Sequence, residues 1–525
     1  MNMKKMIFIA FLSVCFLLVT AGTALAEGAG DLDTDPEGPE LSLDVVNLLA
    51  PAQNFLSGRS WLMVAGIDTI LFEGIPNTGL KIRGLKEVFI APSPLGGALG
   101  APVQQAGGPV GLVPFRDPAP AFSRNILVTR DFSQFPFQTE PHLAVDPDNP
   151  DHLVLGVIDF GFPAVSTYVS IDGGETWEGP FQVPFLVDDL GSGGDPVVGF
   201  DRKGNIHYAS ISIGVEEFSV GPLVGSTLVS SISVSRSEDG GFTWPQTVDS
   251  SRSRLETQNL STDELGRTRG TIITSFFDKP WMAIGPHPED SQKDVIYVTY
   301  TDFQIAYEIG WVGELPFLGV PVMNTTIRLV RSEDGGDTWS QPLDISPTVR
   351  RTFGSGDQPA GYDVGTGVKR VVQGSQPVVA PDGTVYVAWL DTTDDDSQEG
   401  LGEIYVARSE DGGESFTQPI RASVFNEVGF RPRSSFFRFW GSAFPQIAIG
   451  PEEEIYIVYA ARPSDNPRDD ADIFFISSLD RGENWSRPLR INGDEGAALQ
   501  FFPAIDVDPN GVVHVMWGDM RDDPA

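Results

Sequence analysis

Cysteine is all but missing from this chain: the single residue, Cys15, sits in an apolar run near the start of 525 residues. The rest of the chain has no disulfide, no thiol nucleophile and no thiolate metal site. Its stability must come from packing, for which the length leaves ample material. Positive charge is scarce as well, with 35 Lys and Arg against 72 Asp and Glu and a net charge of −37. The isoelectric point is about 4.3. Nucleic acid and anionic membranes would be repelled, so neither is an expected partner. The 5 histidines (His142, His152, His207, His287 and His514) have no metal-like spacing, and no Gly-x-Ser-x-Gly or phosphate loop is present. No metal and no cofactor are expected. Long apolar runs are missing too, apart from Met6 to Val19, which follows Lys4 and Lys5 and leads to Ala24-x-Ala26. That pattern reads as a secretory signal peptide over 1–26, and the run is short of the roughly 20 residues a membrane span needs. The expectation is a secreted or periplasmic protein without a transmembrane segment after cleavage.

What the chain does have is a repeat. One string occurs five times: SIDGGETW at 170–177, SEDGGFTW at 237–244, SEDGGDTW at 332–339, SEDGGESF at 409–416 and SLDRGENW at 478–485. Each copy has the chemistry of a tight turn. The Asp (Asp172, Asp239, Asp334, Asp411 and Asp480) accepts backbone N–H groups, Gly supplies positive φ, and the closing aromatic can plug between strands.

Residues 27–120 differ from the rest, with an acidic linker at 31–40 and a Gly-, Pro- and Ala-rich stretch at 91–120. Residues 41–56 could form a short amphipathic helix, and 61–72 is apolar enough to pack. From 121 to 525 short β-type runs alternate with turns. In the clearest unit, 376–419, four strands are joined by a Pro381-Asp382-Gly383 turn, an acidic loop and the Asp-turn. Four antiparallel strands so joined make one propeller blade. Six prolines stand in register, Pro141, Pro196, Pro280, Pro377, Pro445 and Pro503, which predicts six blades. The last is incomplete or closed by an N-terminal strand at 125–130. Asp506-Val-Asp508-Pro-Asn510-Gly511 reads as the turn between its first two strands rather than a calcium loop, whose twelfth position would need Glu where Trp517 stands. The turns hardly vary in length while the second-to-third-strand and inter-blade loops do. Those loop sets share one face, where binding or catalysis is expected.

The repeats resemble the Asp-boxes, or BNR repeats, of the sialidase-like six-bladed propellers, over roughly the last three quarters of the chain. The resemblance implies an all-β propeller and, for the family's enzymes, an arginine triad, a Tyr nucleophile helped by Glu, and an Asp acid/base. The arginine of the family's Arg-Ile-Pro string is replaced by Thr139, in Thr139-Glu140-Pro141. Asp159 stands where the acid/base would be, or is a turn residue ending its strand as Asp302, Asp391 and Asp519 would be. Tyr307 with neighbouring Glu308, and Tyr362, are the nucleophile candidates. Arg236, Arg331 and Arg408 precede Asp-turns and read as structural.

The function expected is an exported module that recognises a glycan or other extracellular polymer through its loop face, with catalysis not evident. A retaining sialidase-type hydrolase and a cell-surface protein-binding scaffold are the alternatives. Binding residues are sought among Arg431, Arg433, Arg438, Trp440, Arg462 and Arg521, the first four on a loop that concentrates arginine and aromatics in an acidic protein. There guanidinium groups would grip an anionic sugar while Trp440 stacks on it. Phe276, Phe277, Trp281 and Trp311 are further aromatic candidates, for sugar stacking or for burial between blades.

Overall fold

The computed structural model describes residues 47–56, 58–64, 80–82, 126–129, 138–160, 164–352, 371–392, 400–428, 444–466, 468–494 and 496–521. The signal-like run, the acidic linker and 91–120 lie outside these residues. So do Tyr362, Arg431, Arg433, Arg438 and Trp440.

Among the described residues six antiparallel sheets follow one another along the chain. The first is a simple meander of Gln138–Val145, Leu153–Asp159, Val165–Ser170 and Glu178–Val183. The fourth (Val372–Val379, Val385–Asp391, Leu401–Ser409, Ile420–Asn426) and fifth (Gln446–Ile449, Ile455–Ala461, Asp472–Ser478, Leu489–Arg490) repeat it. The second sheet (Gly191–Phe200, Ile206–Val220, Leu223–Ser237, Gln246–Arg252) gains a fifth strand, Leu80–Ile82, beside its third. The third sheet is built on Thr268–His287, Asp290–Val312 and Val322–Ser332, with extra strands on both sides. The sixth has two described strands, Gln500–Val507 and Val513–Asp519. Residues 126–129, expected to close it, belong to no strand. The first strands of successive sheets pack side by side from the first sheet to the sixth, which is a propeller-like arrangement.

The fourth sheet shows why the sequence folds this way. Its second strand, Val385–Asp391, is buried along its whole length because both faces are covered. Side chains alternate between faces with period two. Val385, Val387 and Trp389 pack with Val295, Tyr297 and Leu329 of the third sheet. Tyr386, Ala388 and Leu390 pack with Ile455, Ile457 and Ile476 of the fifth. One strand thus supplies two inter-sheet cores.

The Asp-turns hold the opposite end of the third strands from the variable loops. In the fourth sheet Ser409 Oγ donates to Asp411 Oδ1 at 2.7 Å, and the Gly413 and Ser415 amides donate to Ser409 Oγ and Asp411 Oδ1 at 2.8 and 3.0 Å. The fifth turn keeps the geometry despite its divergent letters. Arg481 takes the glycine conformation at φ 61°, and Asn484 Nδ2 donates to Asp480 Oδ2 at 2.7 Å in place of the threonine hydroxyl. Phe416 packs into the third-to-fourth-sheet core where the other copies carry Trp. In the sixth sheet the Asn510 and Val512 amides both donate to Asp508 Oδ1 at 2.9 Å, so the Asp506–Gly511 string is the turn between its strands.

Length on the other face takes the form of β-hairpins. The second and third strands of the second sheet pair from Ile206 to Ser237, and the second strand of the third sheet extends to Val312, where it pairs with Leu315. Their extensions share an apolar core that includes Phe218, Val220, Ile305 and Ile309.

Residues 47–64 are part of the same core. A 3-10 turn, Gln53–Phe55, and a helix, Gly58–Val64, stand where the sequence suggested a helix over 41–56 and an apolar packing segment over 61–72. Leu48, Leu49, Ala52 and Leu56 are buried with Ile211, Phe276, Phe303 and Tyr307. The Phe55 ring stacks on Phe303 at 6.0 Å. Phe276 and Phe277, considered as ligand-stacking residues, are therefore core residues.

A candidate site where the first strands begin

The proline register determines the local geometry. Proline has no N–H to give the ladder, and each first strand of the first three sheets slips register at that point. The residue before the proline takes a left-handed conformation: Glu140 at φ 51°, Asp195 at φ 56° and Lys279 at φ 53°. Such a backbone costs a residue other than glycine about 1–3 kcal/mol, and such residues cluster at functional sites. Three adjacent strands carry it with an ionisable residue, and the sixth sheet repeats it with an apolar one, Phe502 before Pro503 at φ 47°.

The three side chains converge. Lys279 Nζ lies 3.5 Å from Asp195 Oδ1 and 3.8 Å from Glu140 Oε2, and the Lys279 amide donates to Asp195 Oδ2 at 3.0 Å. The Asp195 side chain is 3% exposed, that of Lys279 22% and that of Glu140 32%. Burial pushes the Glu140 carboxyl up to about 8; Lys279 opposes this and Asp195 adds to it. Burial would lower Lys279, but the carboxylates of Asp195, Glu140 and Asp278 outweigh it and hold the ammonium above its ordinary range. Asp278 is buried and receives Gln373 Nε2 at 3.4 Å.

Two residues further along the same strands, His142 and Trp281 meet edge to face at 5.2 Å. His142 Nδ1 accepts the Val198 amide at 3.2 Å, so the neutral ring carries its proton on Nε2. Burial lowers its pKa to about 4, which keeps it neutral. Trp281 is half-buried.

Residues 47–64 lie against the same end of the strands. Arg59 is 1% exposed, with Nη1 3.5 Å from the Asp159 carbonyl oxygen and its guanidinium 5.6 Å from the Phe160 ring. Ser60 Oγ donates to the Gly193 carbonyl at 3.2 Å. A β-carbon on Gly193 would stand 2.5 Å from Ser60 Oγ, so glycine is required for the approach. Gln373 Nε2 donates to the Phe55 carbonyl at 2.7 Å.

The residues singled out from the sequence fall in several places. Asp159 ends the second strand of the first sheet and is fully buried below Arg59. Tyr307 is also buried; its hydroxyl donates to the Leu48 carbonyl at 2.9 Å, and burial raises its pKa. Glu308 is exposed, and neighbours on a strand face opposite ways, so Tyr307 and Glu308 do not form a pair. Arg462 is half-buried, and its amide donates to the Asn426 carbonyl at 2.9 Å. Arg521 Nε donates to Asp519 Oδ2 at 2.8 Å. Asp302 is paired with Arg328 Nη1 at 2.8 Å. Trp311 is half-buried, and its Nε1 donates to the Thr268 carbonyl at 2.7 Å. Among the described residues no three His, Cys, Asp or Glu side chains are placed to hold a metal ion, and no helix is long and apolar enough to cross a membrane.

Glu140, Asp195, Lys279 and Arg59 did not figure among the sequence candidates. The first three had a signal, since each precedes a register proline. Arg59 had none, because its partners lie about a hundred residues away in sequence.

No family model and no curated protein matches the chain. Among solved structures, a protein of unknown function from Dyadobacter fermentans is 16% identical, over 73% of this chain and 93% of the other, with a TM-score of 0.36. An α-L-arabinanase of Penicillium chrysogenum is 14% identical, over 73% and 94%, also at 0.36. An intramolecular trans-sialidase of Ruminococcus gnavus is 12% identical, over 75% and 92%, at 0.33. At these values the likenesses carry no argument about activity.

Proposed function

We propose that the chain is an exported six-bladed propeller of the sialidase-like class that recognises carbohydrate or a related extracellular polymer. Its site is the Glu140–Asp195–Lys279 cluster, and the observation that supports this is the convergence of three ionisable, left-handed residues on adjacent first strands. Backbone strain and shifted ionisation together mark a functional site better than either alone. Hydrogen-bond donors and acceptors that are partly exposed, at Lys279 and Glu140, suit a ligand with hydroxyl groups. Recognition rather than turnover is the reading adopted, because Asp159 and the Tyr307 hydroxyl are both buried.

A hydrolase is the second reading, favoured by the raised Glu140 carboxyl, which would carry a proton as a general acid must. A glycan array probed with the full secreted chain, with a fluorogenic sialoside assay beside it, separates the two. Array binding with little or no sialoside cleavage supports recognition. Cleavage lost in Glu140→Gln or Asp159→Ala supports the hydrolase. The leader at 1–26 is tested by sequencing the N-terminus of the secreted protein, expected to begin at Glu27.

A further inference from the structure

The charges beside the register prolines of the first three sheets restrict what can bind there. Three carboxyl groups, Glu140, Asp195 and Asp278, act on one ammonium, Lys279. Asp195 and Asp278 are almost wholly buried and remain in place whatever arrives. Lys279 lies 3.5 Å from buried Asp195, with Asp278 also acting on it, so its charge is matched within the protein. A ligand carboxylate or sulfate would have to compete with a buried carboxylate for that ammonium while standing beside others of like charge. Arg59 does not relieve this, since it is covered, and the strand-opening position that would carry an arginine in the resembled family holds Thr139. The net charge of −37 opposes anions further.

The spacing suits a different group. Ion-pair separations of 3.5 and 3.8 Å are longer than good hydrogen bonds to an ammonium. A hydroxyl can bond to both kinds of group at once, accepting from Nζ and donating to a carboxylate. The partly exposed groups, Glu140 and Lys279, stand side by side and offer hydrogen-bond donors and acceptors to such a group.

Resting on the carbohydrate reading above, we infer that the ligand is uncharged and rich in hydroxyl groups, a neutral sugar rather than a sialic or uronic acid. Lys279 donates to one of its oxygens and Asp195 orients that ammonium.

Calorimetry on the full chain at neutral pH tests this with neutral gluco- and galacto-oligosaccharides and their sialylated and uronate-containing counterparts. The neutral sugars are expected to bind, and Lys279→Met and Asp195→Asn each to weaken them at least tenfold, while the acidic sugars bind more weakly. Melting curves establish which variants fold, and Glu140→Gln, at the most exposed of the three positions, stands in if Asp195→Asn does not. Tighter binding of the acidic sugars, lost in Lys279→Met, would overturn the inference and leave the carbohydrate reading intact. Neutral binding unchanged in every variant would place the site elsewhere and overturn it too. Binding of neither class refutes the carbohydrate reading itself.

Discussion

Arg408 of the fourth sheet donates through Nη1 to the carbonyl oxygen of Arg481, in the Asp-turn of the fifth, at 2.9 Å. The same reach recurs from sheet to sheet. Arg236 Nη1 donates to the Gly335 carbonyl and Asp337 at 2.8 and 2.9 Å, and Arg331 Nη2 to Glu414 at 3.0 Å. Each arginine precedes its own Asp-turn and binds the turn of the next sheet. The three residues read from the sequence as structural are inter-sheet ties.

Removing one tie should be measurable. Arg408→Ala leaves the Arg481 carbonyl without its charged donor and is expected to cost roughly 1–2 kcal/mol. Denaturant unfolding measures this, with Arg350→Ala, on an exposed strand residue, as the control expected to change little. Equal effects at both positions would contradict the ladder.

The Asp-turns should govern the acid limb of stability. Burial would raise Asp411, but hydrogen bonds from Ser415 and Ser409 outweigh it and hold it low; at Asp172 and Asp480 the bonds from Thr176 and Asn484 come first. A carboxylate lowered in the folded state stabilises above its unfolded value, and that contribution disappears as pH falls through the folded value. Asp411→Asn should therefore lower the melting temperature at neutral pH, and the gap to wild type should close in acid. A gap independent of pH would assign the effect to shape alone.

Glu140 should act with the opposite sign. A carboxyl raised from 4.5 to about 8 favours the folded state while protonated, so its contribution declines as pH rises across that window. Glu140→Gln should gain stability relative to wild type between pH 5 and 8. No relative change over that range would mean that Glu140 ionises normally.

Residues 47–64 should unfold with the propeller rather than before it. Leu49 is buried in the shared core, and Leu49→Ala is expected to cost about 2–5 kcal/mol of the main transition. A separate early transition, with the main one unmoved, would show the segment to be an independent appendage.

The sequence made the repeat legible because a tight turn tolerates few letters. Ser, Asp, Gly and the closing aromatic each satisfy a specific bond or conformation, so the string survives in five copies. The prolines marked the first strands for a similar reason. Glu140, Asp195 and Lys279 were legible only as neighbours of prolines, since their importance lies in a left-handed backbone that propensity does not signal. Asp159 ends a strand and Tyr307 lies within one, and sequence offers no view of the segment that covers them. Arg59 and Leu48 reach them across separations of 100 and 259 residues. Adjacent letters misled at Tyr307 and Glu308, where strand alternation sends the side chains apart.

Two locations for the ligand compete: the start of the first strands, with Glu140, Asp195 and Lys279, and the arginine- and aromatic-rich loop at 421–444 with Arg431, Arg433, Arg438 and Trp440. Hydrogen–deuterium exchange on the full chain, with and without a saturating neutral galacto-oligosaccharide, tests the choice most directly. Protection is expected at the starts of Gln138–Val145 and Gly191–Phe200 and around Lys279. Protection confined to 421–444, with those strand starts unchanged, would contradict the account.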